Sequence, residues 1–545
     1  MEFEKMEMEN PSESLFGHAT KQTNQPQKVS SFRRILPQFL AGIAQMLLNT
    51  NIGLALSFPT IVIPAIQHMD KINVNEPLFF TRNEAGFLAG LISISQPFGC
   101  FLSGFICDQL GRKRAIIICN FVPLIGWILL ANSINSISIY FTFALMGFGT
   151  GLTSSIIYVS EVCEASVRGI LMALAGIVTC TGMFLVLVLG SYLEWRYVAY
   201  ICAVVPLSNI IMSIFLPETP IWLLSKERYN EALKSLQWLR GWVSPVAVEP
   251  ELNQLKEVSE ASNACQECGN NQNKCGHPLP GLIDRFKLMT KKRTMKALTL
   301  ITILYIFQNF CGMFQMRAFL IPILKAHGIA LDENTTAMII GAIGVLANFV
   351  ILVFVKLIGK RKLYLYSMIG NLLTCLGLAV YGFAFFPSGW SSKESNAGII
   401  KEIVGDWNYF ALAMFLLMQF FISFGVSAMP FFVMCEIFPL KSRSFYFSIL
   451  SSENQLFGFL ATTSYYATED LLSLPGVFVF YTVLGVIGFF IGYFMFPETE
   501  SRTMEDIELH YSDDSKSIFD IKIRKNATEN NNDNNPKTND IKTKH

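Results

Sequence analysis

Gly111-Arg112-Lys113-Arg114 ends one apolar run and begins the next, and 248 residues later Gly359-Lys360-Arg361-Lys362 does the same. Two further signals recur in the same order. Glu161 stands seven residues before Arg168 at the end of an apolar run, as Glu436 stands before Arg443. Pro217-Glu218-Thr219 closes a later run, as Pro497-Glu498-Thr499 closes the last. These pairs are offset by 275 and 280 residues, and much of the drift falls in a longer loop at 387–406. Basic residues beside an apolar run are weak evidence alone, because membrane orientation requires them anyway. Three signals in register mark an internal repeat.

The runs between the signals have the length of membrane spans. A helix needs about 20 apolar residues to cross the hydrocarbon core. Twelve stretches qualify, at 36–66, 85–107, 115–133, 137–160, 170–192, 197–216, 297–324, 334–357, 363–386, 407–434, 444–466 and 475–496. The fold class expected is an all-α membrane protein of twelve transmembrane helices in two six-helix repeats, with a solute site at mid-membrane between them. The expected divisions are a tail at 1–34, a first bundle at 35–216, a central loop at 217–296, a second bundle at 297–497 and a tail at 498–545.

Composition agrees. Of 545 residues 52% are hydrophobic and 15% charged, and the mean hydropathy is +0.42, so the chain requires lipid. A net charge of +1 leaves nothing to recruit nucleic acid. The twelve cysteines fall mostly in apolar runs, among them Cys100, Cys119, Cys180, Cys202, Cys311 and Cys375, where they read as small hydrophobes and not as a disulfide framework.

The first 31 residues lack the apolar core of a signal peptide. Arg33, Arg34, Arg112, Lys113, Arg114, Arg168, Lys360, Arg361, Lys362, Lys441 and Arg443 concentrate on one side, while Lys71, Arg82, Lys393 and Lys401 fall opposite. Both termini are therefore expected in the cytoplasm.

No nucleophile, phosphate-binding loop or catalytic cluster stands out, so neither an enzyme nor a cofactor is expected. Cys265, Cys268, Cys275 and His277 have zinc-like ligand types in the central loop, but their tight, irregular spacing matches poorly, and no metal site is assigned. The tail beyond about 510 is rich in Asn, Lys and Asp and reads as disordered.

The motifs resemble those of the sugar porter family of the major facilitator superfamily, and among its members the insect facilitated trehalose transporters and other facilitative hexose carriers. Gly104, Asp108, Gly111, Arg112 and Lys113 carry the first motif; Tyr158, Glu161, Arg168 and Gly169 the second; Pro217 to Pro220 the third; Pro497, Glu498, Thr499, Arg502 and Thr503 the last. The resemblance implies a facilitative transporter of a sugar at the plasma membrane. Its partners would be a small-molecule solute and the bilayer, and it would work as a monomer by alternating access. A non-transporting sugar sensor, or a carrier of another small organic solute, is the alternative.

The resemblance also implies site residues. Gln308, Asn309, Asn348 and Asn454 match pocket amides, and Phe314, Phe431 and Trp390 are candidates to stack on a sugar face. Departures cluster here as well. Phe314 replaces the last amide of the family's seventh-helix motif, Gly176 stands at the fifth-helix Gln, and the tenth-helix motif becomes Gly425-Val426-Ser427-Ala428-Met429-Pro430-Phe431. Phe143, Ile221 and Lys356 depart from the pattern too. Each missing partner for a hydroxyl costs about 1–3 kcal/mol, so the lost amides permit a less hydroxylated solute.

Asp108, Arg112, Glu161, Arg168, Glu218, Glu436, Arg443 and Glu498 are the expected gating charges. Arg317 and Glu453, deep in apolar runs on spans expected to be neighbours, form a candidate buried pair, because an unpaired intramembrane charge is costly. Asn49-Thr50-Asn51 in the first span has no carboxylate, which favours diffusion over proton coupling.

Overall fold

The computed structural model describes residues 31–523, apart from 70–71, 74–75, 153–157, 160, 263–291, 393–396, 439–442, 501, 503, 514–515, 518 and 522. No strand occurs among the described residues. Among the described residues eight helices are long and apolar enough to cross a membrane. One of them, Arg443–Met495, is two spans that reverse at Ser473 (φ 62°). A broken pair, Thr294–Phe310 and Met313–Ala326, adds a further span. The shorter apolar helices Ser136–Gly151 and Leu174–Gly190 complete the expected twelve.

In the first half the spans are Phe32–Ile66, Arg82–Leu110, Arg112–Ala131, Ser136–Gly151, Ala165–Gly190 and Trp195–Phe215. The fourth was expected to reach 160; residues 153–157 lie outside the described ones, and helix resumes at Tyr158. Spans one and five cross on glycine. A Cβ on Gly53 would sit 2.0 Å from the Thr179 carbonyl oxygen, and one on Gly182 would sit 2.4 Å from that of Thr50. Small residues are what allow such approach where lipid supplies no hydrophobic drive. Asn51 is spent on this packing, since its Oδ1 accepts from Trp127 Nε1 at 2.9 Å inside the apolar core.

In the second half the seventh span bends by 53°. The break falls where Gly312 takes φ 111°, which a side chain would resist. The tenth span carries a π-turn at Ile422–Val426 between Asn408–Phe421 and Met429–Ile437. Such turns leave the regular hydrogen-bond ladder and often sit at functional sites.

Between the halves, Pro220–Ser225, Tyr229–Leu239 and Pro245–Ser262 form a small helical layer around Trp222, Leu223, Leu224 and Ala232. Arg240 ties it to the first half, lying 3.5 Å from Glu164, which Arg34 also contacts at 2.8 Å. Cys265, Cys268, Cys275 and His277 lie outside the described residues.

Part of the tail read as disordered beyond about 510 is ordered, up to Ile523, and 524–545 lie outside the described residues. Met504–Ser512 is helical, Ile507, Tyr511 and Ile523 are buried in the apolar cluster of the second half, and Lys296 Nζ donates to the carbonyls of Asp513 and Lys516. Three apolar anchors spaced through a polar segment were enough to dock it, a pattern that overall composition conceals.

Candidate functional site

The terminal face, where the first span begins and the twelfth ends, carries the repeated charges. Arg112 donates from Nε and Nη2 to the Glu161 carboxylate at 2.8–3.1 Å, and Thr219 Oγ1 donates to Glu161 at 2.7 Å. Asp108 is mostly exposed, 3.6 Å from Arg112. In the second half Lys360 replaces the arginine and lies between Glu436 at 2.5 Å and Glu500 at 3.0 Å. The side chains of Arg168 and Arg443 lie outside the described ones.

Glu218 and Glu498 do something the sequence reading missed. Glu218 accepts the backbone N–H groups of Arg112 and Lys113, and Glu498 accepts those of Lys360 and Arg361. Each carboxylate thus covers the start of the helix that follows Gly111 or Gly359, where unsatisfied N–H groups and the helix dipole favour an anion. Both glycines have positive φ, 92° and 88°, and a Cβ on either would come within 2.4 or 2.6 Å of that carboxylate.

The structure pairs two of the expected amides, on the seventh and eleventh spans, and sets Asn348 of the eighth against the first half. Asn309 Nδ2 donates to Asn454 Oδ1 at 2.8 Å and to the Tyr305 carbonyl. Asn348 Nδ2 donates to the Gly344 carbonyl and, at 3.2 Å, toward Cys180 Sγ of the first half. Gln308 is buried and its Oε1 has no partner, as is also true of Gln315. An orphan amide oxygen is the group that a solute hydroxyl would satisfy. Gln419 was not anticipated; it donates to Ser423 within the π-turn and packs against Gly344.

The aromatic candidates separate. Phe431 packs against Tyr305 at 5.5 Å within the core of the second half. Trp390 is buried in the loop beyond the ninth span, donating to the Ala326 carbonyl. Phe314 lies under the Arg317 guanidinium at 4.4 Å.

The expected Arg317–Glu453 pair is not formed. Glu453 accepts from Thr302 Oγ1 at 2.9–3.0 Å. The seventh and eleventh spans are indeed neighbours, but they run parallel, in register where Asn309 meets Asn454 and Phe319 stacks on Tyr465 at 5.0 Å. Thr302 and Arg317 are therefore separated by roughly four turns, or 20 Å, of rise.

The far face, opposite the terminal one, is closed by contacts between halves. Arg82, at the start of the second span, reaches Glu469 at 2.5 Å, Asp470 at 2.8 Å and Ser392 Oγ at 2.9 Å, all in the second half. Glu469 is fully buried and also accepts the Ser392 N–H and hydroxyl. Arg82 stacks over Tyr466 at 4.1 Å, and Thr60 Oγ1 donates to the Arg317 carbonyl at 3.0 Å. The sequence reading used Arg82 only for orientation, and Glu469 not at all.

Residues 46–511 match the family described as sugar (and other) transporter. A facilitated trehalose transporter of Bombyx mori is 26% identical over 486 residues, covering 89% of this chain and 88% of that protein. One from Polypedilum vanderplanki is 28% identical over 477 residues, covering 87% and 88%. Among solved structures, the proton:xylose symporter XylE of E. coli, bound to 6-bromo-6-deoxy-D-glucose, aligns with a TM-score of 0.65 at 17% identity, covering 88% of this chain and all of that one. That similarity carries the fold.

Proposed function

The chain belongs to the sugar (and other) transporter family, and we propose that it carries a sugar of the hexose or trehalose class across the plasma membrane by facilitated diffusion, as a monomer with both termini in the cytoplasm. What carries the reading is an asymmetry between the two faces. On the far face Arg82 binds Glu469 and Asp470 across the halves, whereas on the terminal face the described ion pairs of Arg112 and Lys360 stay within their own halves. That is one end state of a carrier whose halves rock about a central site. The repeated charges then serve as the gate of the other end state, meeting across the halves when the terminal face closes.

The solute site is the group of amides on the seventh, eighth and eleventh spans. Gln308, with an unsatisfied oxygen, is placed to accept from a sugar hydroxyl, while Asn309 is engaged in holding Asn454. Gln308→Leu is expected to raise KM for the sugar about tenfold, the worth of one buried hydrogen bond. Asn309→Leu should chiefly lower thermal stability. Equal KM values for Gln308→Leu and the unaltered protein would remove Gln308 from the site.

The direct test is uptake of labelled trehalose, glucose and a polyol into cells with verified surface expression. Saturable uptake of one of them, indifferent to collapse of the pH gradient, is expected. Accumulation against a gradient that vanishes on that collapse would replace diffusion with proton coupling, and no saturable uptake would overturn the carrier reading.

A further inference from the structure

We infer that the solute carries a carboxylate, which seats on the Arg317 guanidinium just past the break in the seventh span; this deepens the sugar-carrier reading and rests on it. Arg317 lies just past the break in the seventh span, where that span faces the first half: its carbonyl accepts from Thr60, and the Cys180 thiol of the fifth span is the ionisable group beside it. Among the described residues no carboxylate pairs with it. Its guanidinium rests on the Phe314 ring, which offers attraction but no counter-charge.

A cation at this depth is costly unless water or an anion reaches it. Arg317 is half-buried, and Thr60 and Cys180 of the first half lie against it, so it sits on the seam between the halves. Asn348 stands in the same corner, bonded to Cys180, and Gly176 leaves room on the fifth span, where a Cβ would already lie 3.3 Å from Asn348 Oδ1. A phenyl ring at 314 and a glycine at 176 together remove hydroxyl partners and leave a planar cation in their place. That exchange changes the chemistry recognised from hydroxyls to an anion.

The charge count selects the anion. One guanidinium offers two parallel N–H donors that match a carboxylate and neutralise a single charge. A phosphate monoester brings nearly two charges and would leave one in lipid. Glu453 lies roughly 20 Å away toward the terminal face, too far to compete for the guanidinium. A sugar acid such as a hexuronate satisfies both halves of the site, with its carboxylate on Arg317 and its hydroxyls toward Gln308 and Asn348.

The test uses the full-length protein in proteoliposomes, with labelled D-glucuronate and D-glucose. The unaltered protein should favour glucuronate at least tenfold in kcat/KM, and Arg317→Met should lower the glucuronate-to-glucose ratio by tenfold or more. Unlabelled glucuronate should also inhibit uptake by the unaltered protein at a concentration tenfold below that of glucose, a comparison that needs no variant. Saturable glucose uptake with weak or absent competition by glucuronate overturns the inference and leaves the carrier standing. A ratio unmoved by Arg317→Met overturns it as well, and so does saturable uptake of neither sugar, an outcome that leaves a trehalose carrier standing.

Discussion

An Arg82→Met variant is expected to spend most of its time with the far face open. Arg82 is mostly buried and Glu469 wholly so, and their 2.5 Å contact spans the two halves. Removing the cation leaves a buried carboxylate with only Ser392 as partner. Stranding one member of a buried pair costs roughly 3–5 kcal/mol. The cost falls on the far-face-closed state alone, because the pair separates when the halves part. At about 1.4 kcal/mol per tenfold, the equilibrium moves by more than a hundredfold. The exposed Asp470 contributes little to that figure, since pairs in contact with water are worth under about 1 kcal/mol.

Spin labels at the exposed positions Phe79 and Trp407, one in each half, would report the change as a longer far-face distance. Adding Glu469→Gln to Arg82→Met should restore much of the short distance by removing the stranded charge. An unchanged distance in the single variant would reduce the cluster to a packing contact.

Glu161→Gln and Glu436→Gln should each cut the rate of solute uptake at least tenfold at unaltered surface level. Glu161 collects Arg112 and Thr219, and Glu436 collects Lys360, so each carboxylate organises the end of its half. Losing the charge weakens charge-assisted bonds worth about 1.5–3 kcal/mol and frees a cation on a face that must close in every cycle. Initial rates of uptake normalised to surface protein would decide it. Full activity in both variants would leave these charges with topology as their only role.

Much of this architecture was legible in the chain. Twelve apolar runs and three motifs in register are properties of spacing, and spacing survives 26% identity to a relative. Depth and rotation about each helix were less legible. Arg317 and Glu453 were rightly placed on neighbouring spans, yet the parallel register at Asn309 and Asn454 keeps them apart. Asn309, Asn348 and Asn454 became candidates because amides are conspicuous in apolar runs and match pocket positions of the resembled family, whereas Gln419 became one only through the π-turn that locally changes the helix period. That Glu218 and Glu498 also cover helix starts was not legible, because a sequence does not display which backbone N–H groups lack partners. Arg82 and Glu469 lie 387 residues apart, at the ends of spans where charges are ordinary, and only folding makes them a pair.

The Arg82 cluster places the far-face-closed carrier in an energy well on one side of its cycle. A bound solute that contacts both halves helps to repay the cost of leaving that well, and an empty site has nothing to contribute. Reorientation without cargo is then the slow leg. The physiological signature would be trans-acceleration, in which one-for-one exchange across the bilayer outpaces net flux, and the length of the Arg82 to Glu469 contact would set how far the two rates diverge.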